Sequence, residues 1–465
     1  MGATRRSDAV ERATPGDVIT LAMDLGPLPS HVGAILRLSH VGGDPTALVR
    51  LVAERLGAVP RLRQRLVRSP LGCGSPVWVD DPSADPARHV RFTSCPAPGD
   101  ERALLDLAAV VVTAPLPPSR PLWSAVVVAG LADGAYALLV VLHHVVADGI
   151  GGLAVLAALA DGTPDPAPLP QARPAPTLRE LAADATSSRL QALRRLPKAV
   201  RSLRRWLRAA GGSHPQPAAA CTLLGPVGSR RRYEVVRAEI APLQAVAHRH
   251  GATVNDAVLL AVTTALGDLL AARNETVDPI AVGVPVSPRR STTTDQLGNQ
   301  VAPILVPAPV TGRLPDRLKR IADTVRTGRA AATEPPPAVI ATVMWWASRL
   351  GLLHRYMTHQ RRMHTMISSL HGPDCRISLG GSPVVSIVPL ASAETGNVRV
   401  SFDVLSYAGT LTITAVADPA AVPDLSTLAT AIDAELGALA STADTASVEQ
   451  PQRPDSRPTR ARGRR

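Results

Sequence analysis

Two apolar runs, WSAVVVAGL (123–131) and AYALLVVLHH (135–144), are separated only by the turn residues Ala132, Asp133 and Gly134. Short continuous apolar runs bounded by turn signals read as buried strands. The rest of the chain must supply elements that cover them. Helical periodicity marks 44–67 and 100–113, the second ending before the Pro-rich LPPSRP, so helices and strands are mixed from the start.

The same mixture continues. RRYEVVRAEIAPLQAVAHRHG predicts a strand and then a helix ending at Gly251, ATVNDAVLLAVTTALGDLLAAR a helix over 255–272, and DPIAVGVPVSPR a strand. SPVVSIVPL, VRVSFDVLSYAG and TLTITAVADP read as three further strands, and DLSTLATAIDAELGALAS as a closing helix. Residues 161–177 hold six prolines and read as a linker. The expected fold class is therefore α+β with mixed sheets in two parts. The organisation is a disordered 1–13, a first domain over 14–160, a linker with a basic helix over 161–215, a second domain over 216–442 and a disordered Arg-rich tail over 443–465. A length of 465 residues suits two domains of ~100–200 residues each.

Composition excludes several classes. Hydrophobic residues are 45% and charged residues 19%, enough to bury a core. Cys73, Cys95, Cys221 and Cys375 are scattered without a CxxC pair, which argues against a structural zinc site or a disulfide framework and suits a reducing cytoplasm. The charged start MGATRRSDAVERATPGD lacks a signal-peptide core, and no uncharged apolar run reaches the ~18 residues of a membrane span.

The net charge of +12 is concentrated in two places. Residues 189–208 carry eight basic side chains and no acid, and Arg453–Arg465 carries six arginines and one aspartate, so the remainder is close to neutral. Neither segment interleaves aromatic residues for base stacking, so no nucleic-acid partner is expected. The tail reads as a solvated end. In 189–208, Leu190, Leu193, Leu196, Val200, Leu203 and Leu207 recur at helical spacing, with Pro197 set to kink the helix. This segment suits either an ordinary surface helix or a basic amphipathic helix lying on anionic lipid.

The second apolar run ends in HHVVADG (143–149). Successive side chains of a strand point to opposite faces, so His143 and His144 cannot both face one site, and a two-histidine metal clamp is not expected. One ring faces a cleft and the other the protein body. Asp148 and Gly149 follow in a loop that must turn sharply.

HHVVADG matches the HHxxxDG signature of the CoA-dependent acyltransferase superfamily, and the surrounding blocks resemble the bacterial wax ester synthase/diacylglycerol acyltransferase family. SRPLW (119–123) is similar to that family's PLW motif, VNDAVLLAV (254–262) to its NDVVLA helix, and VPVSPRR…LGNQ (284–300) to its PVSxR…GN block. TPGDVITLAMD and LPSHVGA resemble its opening block, with Asp17 at an aspartate position and Asp24 at an acidic one. The C-terminal LGGSPVV…VLSYAGTLTITAVADP also fits, and the resemblance runs from about 14 to 440 in order. Two departures stand out. SSLHGP (368–373) keeps Gly372 and Pro373 of a SNVPGP-like segment but lacks its asparagine, and Thr20 replaces an aromatic residue. Both bear on substrate lining more than on the reaction.

The resemblance implies two chloramphenicol-acetyltransferase-like domains with a tunnel between them. It also implies transfer of a long acyl chain from acyl-CoA, a co-substrate and not a bound cofactor, to diacylglycerol or a fatty alcohol. His144 would be the general base, a task that suits imidazole because its pKa lies near working pH. His143 would support the loop or the base, Asp148 would hold the loop through an unnamed arginine, and Gly149 completes the motif. Asn255 is either an oxyanion donor or the N-cap of the 255–272 helix, and Asp256 either a site residue or a helix-terminal charge. Asp24, Trp123, Asp256, Asn299, Ser369 and Gly372 are candidates for substrate binding. Neither a metal nor a covalent acyl-enzyme is expected. The expected location is cytoplasmic, peripheral at a membrane or lipid droplet. Acylation of another hydroxyl, on a polyketide or glycolipid, and a silent lipid-binding paralogue are the alternatives.

Overall fold

A computed structural model of the chain describes residues 10–39, 44–163, 172–194, 201, 204, 217–287, 289, 293–294, 296–331, 338–392 and 396–448. The first half runs α1 (Pro15–Met23), β1 (His31–Leu38), α2 (Pro45–Gly57), β2 (Gln64–Val67), β3 (Val77–Asp80), β4 (Val90–Ser94), α3 (Glu101–Thr113), β5 (Trp123–Ala129), β6 (Tyr136–His143) and α4 (Gly149–Ala157). After α5 (Leu178–Arg194) come β7 (Arg232–Glu239), α6 (Ile240–Arg249), α7 (Val254–Ala272), β8 (Ile280–Val286), β9 (Ala302–Ala308), α8 (Leu314–Ala331), α9 (Ala338–Arg349) and α10 (Leu352–Thr358). The chain closes with β10 (Thr365–His371), β11 (Ser378–Leu379), β12 (Ser382–Ala391), β13 (Val400–Tyr407), β14 (Thr410–Ala417) and α11 (Leu425–Val448).

The two apolar runs pair as β5 and β6, antiparallel from Trp123↔Leu142 to Val128↔Ala137. They belong to a six-stranded sheet ordered β11-β12-β1-β6-β5-β4, and a second six-stranded sheet is ordered β7-β14-β13-β10-β8-β9. Both sheets mix directions: β4 runs parallel to β5, and β10 runs parallel to β13 and β8. This is the α+β, two-sheet architecture expected.

Local chemistry sets the helix starts. Thr14 and Asp17 form a capping box at α1, Asp44 and Asp100 cap α2 and α3, and proline opens α1 and α2. The helix α7 is long and apolar enough to cross a membrane by length and composition, but two-thirds of it is buried inside the protein. Its Val258, Leu259, Val262 and Leu266 join the core between α6, α7, α8, α11 and the second sheet.

Several expectations need correction. The halves are not closed along the chain, because β12, from within 216–442, pairs with β1 and completes the first sheet. The short segment between His371 of β10 and Ser378 of β11 carries the chain from the second sheet to the first, which hydrophobic patterning does not register. The helical pattern over 44–67 is broken: α2 stops at Gly57, where an added Cβ would lie 2.4 Å from Pro86 Cγ. A short 3₁₀ turn at Pro60–Arg63 and then β2 follow. Residues 10–13 are not a loose end, since Arg12 bridges to Val77 and pairs with Asp184 of α5. Residues 443–448 continue α11, and the tail beyond lies outside the described residues. Of 189–208, α5 carries 189–194, with Leu190 exposed, and apart from 201 and 204 the rest lies outside the described residues.

Candidate active site

The motif sits where β6 runs out. His143 is its last residue, paired across β1 with His31, and His144 begins the turn that leads to α4, its N–H donated to Ser30 O at 2.8 Å. The two rings part as the strand geometry requires.

His143 turns toward the end of α1. Its Nδ1 accepts the N–H of Val145 at 3.1 Å, so its proton lies on Nε2, which donates to Asp24 Oδ2 at 3.2 Å. Asp24 Oδ1 takes the N–H of Ser30 at 2.9 Å. Desolvation pushes the Asp24 carboxyl up, but the His143 hydrogen bond and charge together with the Ser30 N–H hold it below the usual range. His31 packs edge-on against His143 with centroids 5.6 Å apart, and donates Nδ1–H to Val112 O at 2.8 Å. Burial drives its pKa down to about 4, and its Nε2 has no partner. Both nitrogens of His143 are thus engaged, and it is a supporting residue, with Asp24 as its anchor.

His144 turns the other way. Its Nδ1 lies 3.1 Å from Asn299 Nδ2, and the ring also bonds to its own backbone. With the proton on Nδ1, Nε2 keeps a lone pair. With the proton on Nε2, Nδ1 accepts from Asn299 instead. No hydrogen bond reaches Nε2 among the described residues. Burial lowers the imidazole pKa, opposed by the backbone bond and by the Asp148 charge and reinforced by His143. The ring is therefore held neutral near pH 7, the form a base requires.

Asn299 is fixed on every side. Its Oδ1 takes the N–H of Val301 at 3.1 Å, its Nδ2 donates to Thr20 Oγ1 at 2.8 Å, and its own N–H goes to Asp17 Oδ1 at 2.8 Å. Thr20 in turn donates to Gly16 O at 3.1 Å. A Cβ at Gly16 would lie 1.8 Å from Asn299 O, so only glycine admits this approach. One face of α1, residues 16, 17 and 20, thus grips the loop beside His144. Asp17 is buried, and desolvation raises its pKa against two backbone N–H bonds, from Asn299 and Thr14. Asn299, a substrate-binding candidate, instead borders the imidazole. Thr20, the departure at an aromatic position, is its hydrogen-bond support.

Asp148 receives its cation from the second half. Fully buried, it caps α4 by accepting Gly151 N–H at 2.9 Å, takes Gln300 N–H at 3.1 Å, and pairs with Arg289 Nη2 at 2.5 Å. Arg289 also donates to Gln296 O and Gly298 O, both at 2.9 Å. The arginine left unnamed in the sequence is Arg289 of VPVSPRR. A buried carboxylate calls for a cation, but a partner 141 positions away leaves no local signal in the sequence. Gly149 is glycine because a Cβ there would lie 2.6 Å from Leu370 Cδ2 of β10.

Other candidates have different places. Trp123 is 1% exposed, stacks on His89 at 4.6 Å and donates Nε1–H to Leu62 O at 2.8 Å. It is a core residue, closed to substrate because β5 buries both faces. The N-cap of α7 is Thr253, with Asp256 completing its capping box, so Asn255 does not cap the helix. No hydrogen bond joins Asn255 or Asp256 to His144 among the described residues. Ser369 pairs with Val404, which faces the helical side of the second sheet, so its neighbours Ser368 and Leu370 face the first half instead. Gly372 donates its N–H to Ser406 O at 2.9 Å, and a Cβ would lie 2.5 Å from that oxygen. No group of three or more metal-ligating side chains occurs among the described residues.

Known proteins match throughout. A model of the wax ester synthase/diacylglycerol acyltransferase catalytic domain matches residues 14–258, and one of the C-terminal domain of the same family matches 297–440. A probable diacylglycerol O-acyltransferase of Mycobacterium tuberculosis is 30% identical over 418 residues, 86% of this chain and 89% of that protein. A putative one from Mycobacterium bovis matches equally. The solved wax ester synthase/diacylglycerol acyltransferase of Marinobacter aquaeolei superposes with a TM-score of 0.63 at 20% identity, covering 93% of this chain and all of that one. The starter condensation domain of rhizomide synthetase shares the fold with a TM-score of 0.61 at 16% identity, covering 94% of each chain.

Proposed function

The chain belongs to the wax ester synthase/diacylglycerol acyltransferase family, and from that premise we propose that it moves a long acyl chain from acyl-CoA to diacylglycerol, a fatty alcohol, or both, with His144 Nε2 as the base. The observation that carries the assignment is that His143 has both nitrogens engaged while no hydrogen bond reaches His144 Nε2 among the described residues, which leaves Nε2 the basic nitrogen in the tautomer protonated at Nδ1. Nε2 takes the acceptor's hydroxyl proton as its oxygen attacks the thioester carbonyl. The tetrahedral oxyanion collapses, the C–S bond breaks, and the CoA thiolate leaves with the proton returned by the imidazolium. Arg289, Asp148 and Asn299 hold the loops around the ring.

The test is CoA release from palmitoyl-CoA, with dipalmitoylglycerol or hexadecanol as acceptor, for wild type and His144→Ala. Acceptor-dependent release that falls at least ~10²-fold in the variant is expected, the lower bound for loss of a general base. Release that persists in the variant overturns the assignment.

A lipid surface is the proposed place of reaction. Val343, Trp346 and Leu350 on and just after α9, with Leu352 and Tyr356 on α10, are exposed together. The span 338–358 that holds α9 and α10 carries Arg349 and Arg355 and no acid, a charge that suits anionic headgroups. Co-sedimentation with phosphatidylglycerol vesicles should fall in Trp346→Ser/Leu350→Ser, and unchanged sedimentation refutes this surface.

A further inference from the structure

The face of the second sheet turned toward the first half carries a polar row that the reaction above does not use. On β13 and β14, Phe402, Val404, Ile413 and Ala415 pack into the helix-covered core. The alternate positions therefore point the other way, where Leu405 and Tyr407 join the core of the first half and Val416 shares a core cluster with residues of β1, β5 and β6. In that row Asp403 stands opposite Ser368 on one side and Thr414 on the other.

Thr414 is fully buried and its Oγ1 has no hydrogen-bond partner, and Asp403 Oδ2 is enclosed without one either. Residues directly opposite across a ladder have Cβ atoms ~4.5–5.5 Å apart, yet these two do not bond to each other. Burial alone raises Asp403 to about 7, with no cation or hydrogen bond acting on it. Tyr233, the ionisable neighbour whose phenol feels its charge, is already committed to Ala391 O at 2.7 Å. Unpaired buried polar atoms are costly, and a buried hydroxyl in register with the half-buried Asp403 and Ser368 marks a place prepared for a partner. Leu370, two residues beyond Ser368 on the same face, packs on Gly149, so the row borders the loop that carries His144.

We propose that Ser368, Asp403 and Thr414 form a polar subsite for an oxygen function of the acyl acceptor other than the hydroxyl being acylated, selecting a glyceride over a plain long-chain alcohol. The proposal rests on the acyl-transfer reading of His144. A carboxyl and a hydroxyl side by side both donate to and accept from an ester or a free hydroxyl. A hydrocarbon chain offers neither, and leaves buried polar groups unpaired, the arrangement that discriminates most strongly.

Two readouts on Thr414→Val and Asp403→Leu test it. The ratio of kcat/KM for dipalmitoylglycerol to that for hexadecanol should fall at least tenfold in each variant. Without substrate, the thermal midpoint should rise in both, because orphaned polar groups are gone, whereas a structural role would lower it. An unchanged ratio or a lowered midpoint overturns the subsite. If wild type releases no CoA with either acceptor, the acyl-transfer reading fails by itself, and the subsite is judged by binding. Dioctanoylglycerol that raises the midpoint of wild type but not of Thr414→Val sustains it, and equal shifts overturn it.

Discussion

Replacing Arg289 by Met removes the ion pair that joins the two halves at the active site. Asp148 is completely buried and Arg289 nearly so, at 0% and 14% side-chain exposure. After the substitution Asp148 keeps only the backbone N–H groups of Gly151 and Gln300. Removing one partner of a buried pair costs about 3–5 kcal/mol, because the other charge stays buried without compensation. That is a large part of the ~5–15 kcal/mol by which a native fold is stable. The loop 296–300 also loses two carbonyl anchors, and Asn299 with it loses its setting beside His144. Urea unfolding followed by circular dichroism should show the destabilisation, and CoA release should fall in parallel. The decisive variant adds Asp148→Asn, which removes the orphaned charge. It should recover about 2 kcal/mol or more relative to Arg289→Met alone, a coupling within the range of contacting residues. Losses that simply add refute the argument that an unpaired Asp148 is what destabilises the single variant.

Three further outcomes follow from the geometry. His31 is buried neutral with its pKa at about 4 against 6.5 unfolded, so its contribution is complete above pH 6.5 and is lost as pH falls toward 4. At ~1.4 kcal/mol per unit this is about 3 kcal/mol, and His31→Gln should flatten that part of the stability–pH curve. Thr20→Val leaves one Asn299 N–H without an acceptor, at about 1–3 kcal/mol; kcat should drop more than KM changes, with Thr20→Ser restoring it. Trp123→Phe removes the bond to Leu62 O, and should lower the unfolding midpoint while leaving the preference between dipalmitoylglycerol and hexadecanol unaltered.

What the sequence determined by itself is what local chemistry dictates. The runs 123–131 and 135–144 are apolar enough to be strands in almost any setting, and they pair as read. The helix over 255–272 was legible in its periodicity, while its N-cap, left open between Asn255 as cap and as oxyanion donor, is Thr253 with Asp256. The strand period separated His143 from His144, and that separation holds. Tertiary structure decided everything that depends on residues far apart in the chain. Asn299 meets Thr20 across 279 positions and Arg289 meets Asp148 across 141, and neither partner choice leaves a local periodicity. Trp123 looked like a site residue because it belongs to the PLW-like motif, but both faces of β5 are covered, so its indole is sealed in the core. The transfer of β12 into the first sheet escapes a reading by segments for the same reason. Patterning records which side of a strand is buried, and the partner strand, here β1 for β12, decides which sheet buries it.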